Sequence, residues 1–154
     1  MINTDTHYPV IIVGAGPTGL TLANLLGVYG TPALILERHA DTADEPRAVS
    51  IDDESLRTMQ AVGLIDALLP QLVLGYGSEY YTPRGRRFLT VHPRETPYGY
   101  TRRNAFRQPH LEALLRRGLA RFPQITAQFS QELTGLQQTG QGVVITLPTA
   151  SGQT

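Results

Sequence analysis

Gly14, Gly16 and Gly19 stand at Gly-x-Gly-x-x-Gly spacing, after the apolar run Tyr8–Val13 and ahead of a helical pattern. Between a buried strand and a helix, such glycines are placed to hold phosphate. The first permits a tight turn. The second carries no side chain, so a pyrophosphate can approach the backbone. The third lets helix and strand pack closely. Phosphate oxygens would then meet the free N–H groups at the helix N-terminus. Ala23 and Gly27 extend the small-residue stripe at four-residue spacing. Glu37 ends the next apolar run, close to the ~20-residue offset at which the motif places an acid for a ribose diol. Its charge opposes a 2′-phosphate, which argues against NADP in this groove. Each feature also has a plainer use: a glycine turn serving packing alone, and a surface ion pair of Glu37 with Arg38.

Other residues carry weaker signals. Arg47 follows Pro46, so its backbone is partly restrained. Its guanidinium suits a dinucleotide's phosphates or a nicotinamide coenzyme. Pairing with Asp44 or Glu45 on a solvated loop is the reading that the residues alone favour. Gln108, at the start of a helix, either hydrogen-bonds a cofactor or satisfies backbone donors nearby. Tyr76, Tyr80, Tyr81, Tyr98 and Tyr100 either line an aromatic pocket or pack a sheet face, and packing is the commoner use. Arg102-Arg103 suits a carboxylate or a solvated loop. His7, His39, His92 and His110 show no ligand spacing, so no metal site is expected. No serine lies in a nucleophile-elbow pattern, and no residue stands out as a catalytic acid or base.

These residues need elements to position them. Tyr8–Val13 reads as a strand buried on both faces. Pro17 to Tyr29 reads as a helix stopped by Gly30 and Pro32. Ala33–Glu37 is a second buried strand, and the three make a βαβ core over 8–37. After the acidic connection Asp41–Glu45, a helical segment covers 50–70. It is capped by Ser50 and Asp53, carries Asp52, Asp53 and Glu54 at its positive end, and is punctuated by Gly63. A short helix over Ile65–Leu69 precedes Pro70. A hairpin spans 75–92 around Pro83-Arg84-Gly85. A helix over 108–121, starting near Pro109, puts Leu111, Leu114, Leu115 and Leu119 on one face. Glu112 is in its first turn, and Arg116, Arg117 and Arg121 fall near its end. Three strands follow within 125–148: Ile125–Phe129, Leu133–Gln138 and Val143–Leu147. No internal repeat is visible.

Composition narrows the function classes. A chain of 154 residues, 41% hydrophobic, fits one domain with a core. Thirteen basic and thirteen acidic side chains cancel, which gives no electrostatic case for nucleic acid or an anionic membrane. There are no cysteines, which excludes disulfides and thiolate chemistry and fits a reducing cytoplasm. The longest apolar run is too short for a membrane span, and the N-terminus shows no export signal. Ser151-Gly152 reads as a turn with no return strand after it, so the chain is expected to be part of something longer.

GAGPTGL, ILER, EPRAVSIDDESLRTMQAVGL and RRNAFRQPHLEALL together resemble the N-terminal part of the FAD-dependent aromatic-ring hydroxylases. These are single-component flavoprotein monooxygenases with the fold of p-hydroxybenzoate hydroxylase. PRAVSIDDESLRTMQAVGL, with RRNAF and RFPQI, is most similar to the 3-(3-hydroxyphenyl)propionate hydroxylase branch. The resemblance runs from Val10 to about Thr149. It implies an α/β chain: a Rossmann-like FAD-binding βαβ fold of the glutathione-reductase type with an inserted hairpin, the N-terminal part of a larger two-domain flavoprotein. It implies that Gly14, Gly16, Pro17, Thr18 and Gly19 hold the FAD pyrophosphate. Glu37 would hold the adenosine ribose with Arg38 beside it, and Arg47, Ala48 and Gln108 would make further cofactor contacts. It implies NADH or NADPH as reductant, and O₂ and a phenolic aromatic acid as co-substrates. Hydroxylation would proceed through a flavin C4a-hydroperoxide, in aromatic catabolism in the cytoplasm, and a homodimer is compatible with it. Family members run to several hundred residues. Their later Asp-Gly and Gly-Asp motifs fall beyond Thr154, so this segment alone is expected to be inactive. Two other readings share the first βαβ unit: an NAD-dependent dehydrogenase or other Rossmann flavoprotein, and a non-catalytic nucleotide-binding fragment. The dehydrogenase predicts a plain run of βα units after Glu37, unlike the segment seen here.

Overall fold

The computed structural model describes residues 7–42 and 47–148. Asp44, Glu45 and Pro46, and with them the loop pairing considered for Arg47, lie outside the described residues, as does Ser151-Gly152. In chain order the elements are β1 (Val10–Val13), α1 (Pro17–Val28), β2 (Ala33–Leu36), β3 (Ser50–Ile51), α2 (Asp53–Ala61) and α3 (Ile65–Leu68). There follow β4 (Val73–Leu74), β5 (Ser78–Tyr81), β6 (Arg87–Val91), β7 (Asn104–Ala105), α4 (Gln108–Gly118), β8 (Ile125–Gln128), β9 (Gly135–Thr139) and β10 (Gly142–Thr146). Single 3₁₀ turns, Leu69–Gln71 and Leu119–Arg121, extend α3 and α4. The chain divides into two compact units, Met1–Ala43 with Arg116–Thr154, and Asp44–Leu115.

In the first unit, β1, β2 and β8 form a parallel sheet in the order β1-β2-β8. Val10 pairs with Ala33, and Ala33 with Ile125 on its other side. Parallel pairing requires a crossover, and α1 supplies it between β1 and β2. The central strand β2 is buried at every position. β1 departs from the expected burial on both faces: it is shorter than Tyr8–Val13, only Ile12 is buried, and Val13 is 56% exposed. The reason is its edge position, with β2 as its one partner among the described residues. α1 ends as its sequence requires. Gly30 takes φ +71°, and the amides of Gly30 and Thr31 return to the carbonyls of Gly27 and Leu26, closing the helix in the left-handed manner glycine permits.

The small stripe on α1 has two different partners. A side chain at Gly19 would collide with the Gly14 carbonyl, whereas one at Gly27 would collide with the Phe122 ring. Asn24, fully buried beside them, donates to the Leu20 carbonyl at 2.8 Å and accepts from Arg121 at 3.1 Å. Arg121 also donates to the Gly118 carbonyl, so it ties the end of α4 to α1. β9 and β10 make an antiparallel hairpin with Thr139 opposite Gly142. Its first strand lies later than the expected Leu133–Gln138, and its second ends at Thr146, before Leu147.

The second unit holds a sheet that the sequence reading lacked, β3-β7-β4, built from two-residue antiparallel strands. Ser50, expected as a helix cap, lies in β3. The cap of α2 is Asp52, whose carboxylate accepts the Ser55 N–H at 2.8 Å. The Ser55 hydroxyl first, and then this Ser55 N–H, hold its carboxyl below the usual range against the raising effect of burial. Asp53 and Glu54 occupy the first turn of α2, where negative charge opposes the dipole. Leu56, Met59, Val62, Leu64, Ile65 and Leu68 form the apolar core around α2 and α3.

α4 begins at Gln108, ahead of Pro109, so Glu112 falls in its second turn rather than its first. Asn104 is fully buried in β7. Its amide donates to the carbonyls of Ile51 and Thr101, and its oxygen accepts from Gly75 and Thr101. One side chain thereby holds β3, β7 and the turn after β4. The expected packing role for the tyrosines fails for Tyr80, Tyr81 and Tyr98, all exposed. The hairpin β5–β6 presents its side chains to solvent on both faces.

Candidate functional site

The glycine turn lies in the first unit, between β1 and α1. Gly14 has φ +102°, a conformation that L side chains rarely adopt. Its N–H donates to the Leu36 carbonyl at 2.7 Å, which fastens the turn to β2. Gly16 is the helix N-cap, with ordinary dihedrals and no side-chain cap. A Cβ there would meet nothing within 4 Å, so the position opens onto free space. The first helical bond runs from Leu20 N–H to the Gly16 carbonyl at 2.9 Å. Pro17 has no N–H to offer. The amides of Thr18 and Gly19 precede that bond and carry the positive end of the α1 dipole. No acidic side chain occupies the first turn of α1.

Glu37 follows β2 and turns back onto this loop. Its Oε2 accepts the Ala15 N–H at 2.8 Å, and its Oε1 accepts the His39 N–H at 2.9 Å. Partial burial pushes its carboxyl upward, but the amides of His39 and Ala15, with the charges of His39 and Arg38, outweigh that and hold it below the usual range. The group is therefore anionic at neutral pH. The alternative use of Glu37, a surface pair with Arg38, is not what is seen: Arg38 donates from Nε to Nε2 of His39 at 3.1 Å, and Glu37 belongs to none of the ion pairs among the described residues. The set of an open glycine, free helix-end amides and a fixed carboxylate fits an adenine dinucleotide. The amides suit its pyrophosphate, and the carboxylate's remaining lone pairs suit its ribose hydroxyls.

The second unit brings together Arg47, Ala48 and Gln108. Gln108 is 6% exposed. Its Oε1 accepts two successive backbone N–H groups, from Arg47 at 2.9 Å and from Ala48 at 2.8 Å. Its Nε2 donates to Oε1 of Glu112 at 2.7 Å. Glu112 is 1% exposed, and its Oε2 has no hydrogen-bond partner. Of the two readings of Gln108, satisfaction of backbone donors is therefore realised. Arg47 itself is exposed.

Two participants escaped the sequence reading. Ala15 contributes only a backbone N–H, which no residue-type signal can report. Glu112 was placed by dipole reasoning, although its i,i+4 spacing from Gln108 allowed a direct pair. Arg103 lies with its guanidinium 4.5 Å from the Tyr76 ring centroid and donates to the Ser78 hydroxyl at 2.7 Å. It therefore pins the start of β5. A depression of about 330 Å³ in the first unit is lined by Arg116, Leu119, Phe122, Ile125 and Phe129 among others, with no residue of the glycine turn. No group of three potential metal ligands occurs among the described residues, and none of the helices there is long and apolar enough to cross a membrane.

A dinucleotide-binding α/β fold is what this βαβ unit and its turn define, and the chain belongs to the FAD binding domain family, whose match covers residues 7–153. It is 46% identical over 144 residues to a 3-(3-hydroxy-phenyl)propionate/3-hydroxycinnamic acid hydroxylase of Klebsiella pneumoniae subsp. pneumoniae, covering 94% of this chain and 26% of that protein. It is 44% identical to the protein of the same name from Escherichia coli (strain K12), with the same coverage. The chain thus spans about a quarter of the length of these relatives. Among solved structures it resembles the flavin-dependent monooxygenase PieE in complex with FAD and substrate, at TM-score 0.79 and 26% identity, over 93% of this chain and 27% of that one. The p-nitrophenol 4-monooxygenase PnpA from Pseudomonas putida shares the fold at TM-score 0.75 and 21% identity, over 88% of this chain and 38% of that one.

Proposed function

We propose that this chain is the ADP-binding portion of an NAD(P)H-dependent flavoprotein monooxygenase that hydroxylates a phenolic aromatic acid. The observation that carries the cofactor half is the bond from Ala15 N–H to Glu37, which sets the ribose acid against the phosphate turn. The hydroxylase half rests on the names of the 44–46% identical relatives. Gly14, Gly16, Pro17, Thr18 and Gly19 form the pyrophosphate cradle, Glu37 the ribose acceptor with Arg38 alongside, and Arg47 a cationic contact. When bound, FAD supplies storage of two electrons and activation of O₂. In the balanced reaction NAD(P)H, a proton, O₂ and the phenol give NAD(P)⁺, water and the ring-hydroxylated product. The residues described here bind and orient; none is assigned a proton-transfer role. A cysteine-free chain drawing on NAD(P)H fits a cytoplasmic setting.

Spectra and turnover of the purified full-length protein test this. The expected result is a yellow protein with bound flavin, which oxidises NADH or NADPH faster when a 3-hydroxyphenyl alkanoic acid is added and releases a dihydroxylated acid. Bound flavin with no hydroxylated product from any phenolic acid would defeat the hydroxylase reading. A colourless protein that takes up NAD alone would favour a dehydrogenase.

A further inference from the structure

We infer that Arg103 is a carboxylate-binding residue which, with the hydroxyls of Ser50, Tyr76 and Tyr80 around it, receives the acid group of the aromatic substrate. This rests on the reading of that substrate as a phenolic acid. All four residues belong to the second unit. Ser50 lies in β3, Tyr76 in the turn after β4, Tyr80 in β5, and Arg103 directly ahead of β7. The sheet β3-β7-β4 draws the segments of Ser50, Tyr76 and Arg103 together. Asn104, fully buried next to Arg103, sets the backbone on both sides. It accepts the Gly75 N–H, just ahead of Tyr76, and donates to the Ile51 carbonyl, just after Ser50, each at 3.2 Å.

The distribution of charge points to a ligand. Arg87 and Arg102, both exposed, are paired with the carboxylates of Glu79 and Glu95. Arg103 is half-buried, yet it belongs to none of the ion pairs among the described residues. Its guanidinium lies over the Tyr76 ring, 4.5 Å from the centroid, and Nη1 donates to the Ser78 hydroxyl at 2.7 Å. One face is stacked and one nitrogen is engaged, which holds the planar fork in place. The Ser50 hydroxyl first, and Arg103 as well, hold the Tyr76 phenol below its usual range. The Tyr80 phenol is a second neighbour of Arg103. Every group in this cluster can donate a hydrogen bond. A carboxylate completes it: its two oxygens accept from the fork and the hydroxyls, and its charge offsets that of the arginine.

Titration calorimetry on the full-length protein tests this with two probes, a 3-hydroxyphenyl alkanoic acid and the alcohol of the same carbon skeleton. The parent is expected to bind the acid about thirtyfold more tightly than the alcohol. Arg103→Gln keeps an N–H for Ser78 but drops the charge. It is expected to lose most of that preference, while affinity for the alcohol changes by less than about threefold. Arg103→Lys keeps the charge without the fork and should retain a preference of about fivefold. Equal loss of both probes in Arg103→Gln would overturn the inference, because Arg103 would then serve only to pin β5. An intact preference for the acid would overturn it too. So would a loss confined to the nicotinamide coenzyme, whose phosphates would then be the anion held. Ser50→Ala, at an exposed hydroxyl, covers the case in which Arg103→Gln does not fold. The preference is expected to fall about threefold there, and an unchanged one would overturn the inference. None of these outcomes touches the hydroxylase reading, which is judged by product formation.

Discussion

The two units reach their functional geometry in opposite ways. In the first, the backbone makes the site: Gly14 bends, Gly16 opens, Gly19 admits close packing, and α1 starts in free amides. In the second, a buried side chain makes it: Gln108 sets the backbone of Arg47 and Ala48. Backbone sites depend on what a residue lacks. Side-chain sites depend on what it reaches. Substitutions should therefore fail differently in the two, by collision in the first and by orphaned donors in the second.

The strongest blow to this contrast is expected from Gly19→Val. Its Cβ would drive into the Gly14 carbonyl, and the change should cost about 3 kcal/mol in thermal or urea unfolding. A cost near zero would show that the turn gives way and that packing does not dictate the glycine. Next comes Gln108→Met, which orphans two part-buried N–H groups and should destabilise by about 1–3 kcal/mol in urea unfolding. Asp52→Ala, a loss of one helix cap, should cost about 1 kcal/mol by the same measurement.

Acidification acts on Glu37, whose pKa is lowered in the folded chain. Its contribution is full above the ordinary carboxylate range and disappears as pH falls through its depressed folded value. FAD retention should follow the same acid limb, and Glu37→Gln should flatten it. Retention with an unchanged acid limb in Glu37→Gln would remove Glu37 from the ribose. Smallest in stability is Gly16→Ala. Its Cβ meets only open space, so unfolding should move by less than about 0.5 kcal/mol, while FAD affinity falls by about tenfold. Such a split, with unaltered folding and weakened binding, is the sharpest sign that Gly16 is kept for the ligand.

The same contrast explains what was legible in the sequence. The β1–α1–β2 unit shows itself through local signals: a glycine spacing, an apolar strand run and a stop at Gly30. All of them fall within one stretch of chain. The β3-β7-β4 sheet does not, because two-residue strands have no periodicity and Ile51 finds its partner at Asn104. Gln108 was visible as a helix-start polar residue, but two of its partners, Arg47 and Ala48, lie far upstream and offer only backbone atoms. The edge exposure of Val13 was also hidden, since an apolar run looks alike in the middle of a sheet and at its border.

Glu37 holds the amide of Ala15 within the folded chain itself. The phosphate turn is thus fastened by one of the chain's own carboxylates. A loop that had to be ordered on docking would charge that lost freedom against affinity; a preorganised one has already met the entropy during folding. Recognition of the ribose and rigidity of the phosphate loop then share one carboxylate. A variant that loses it should lose association speed as well as residence time, because each encounter would have to wait for the turn to find its form.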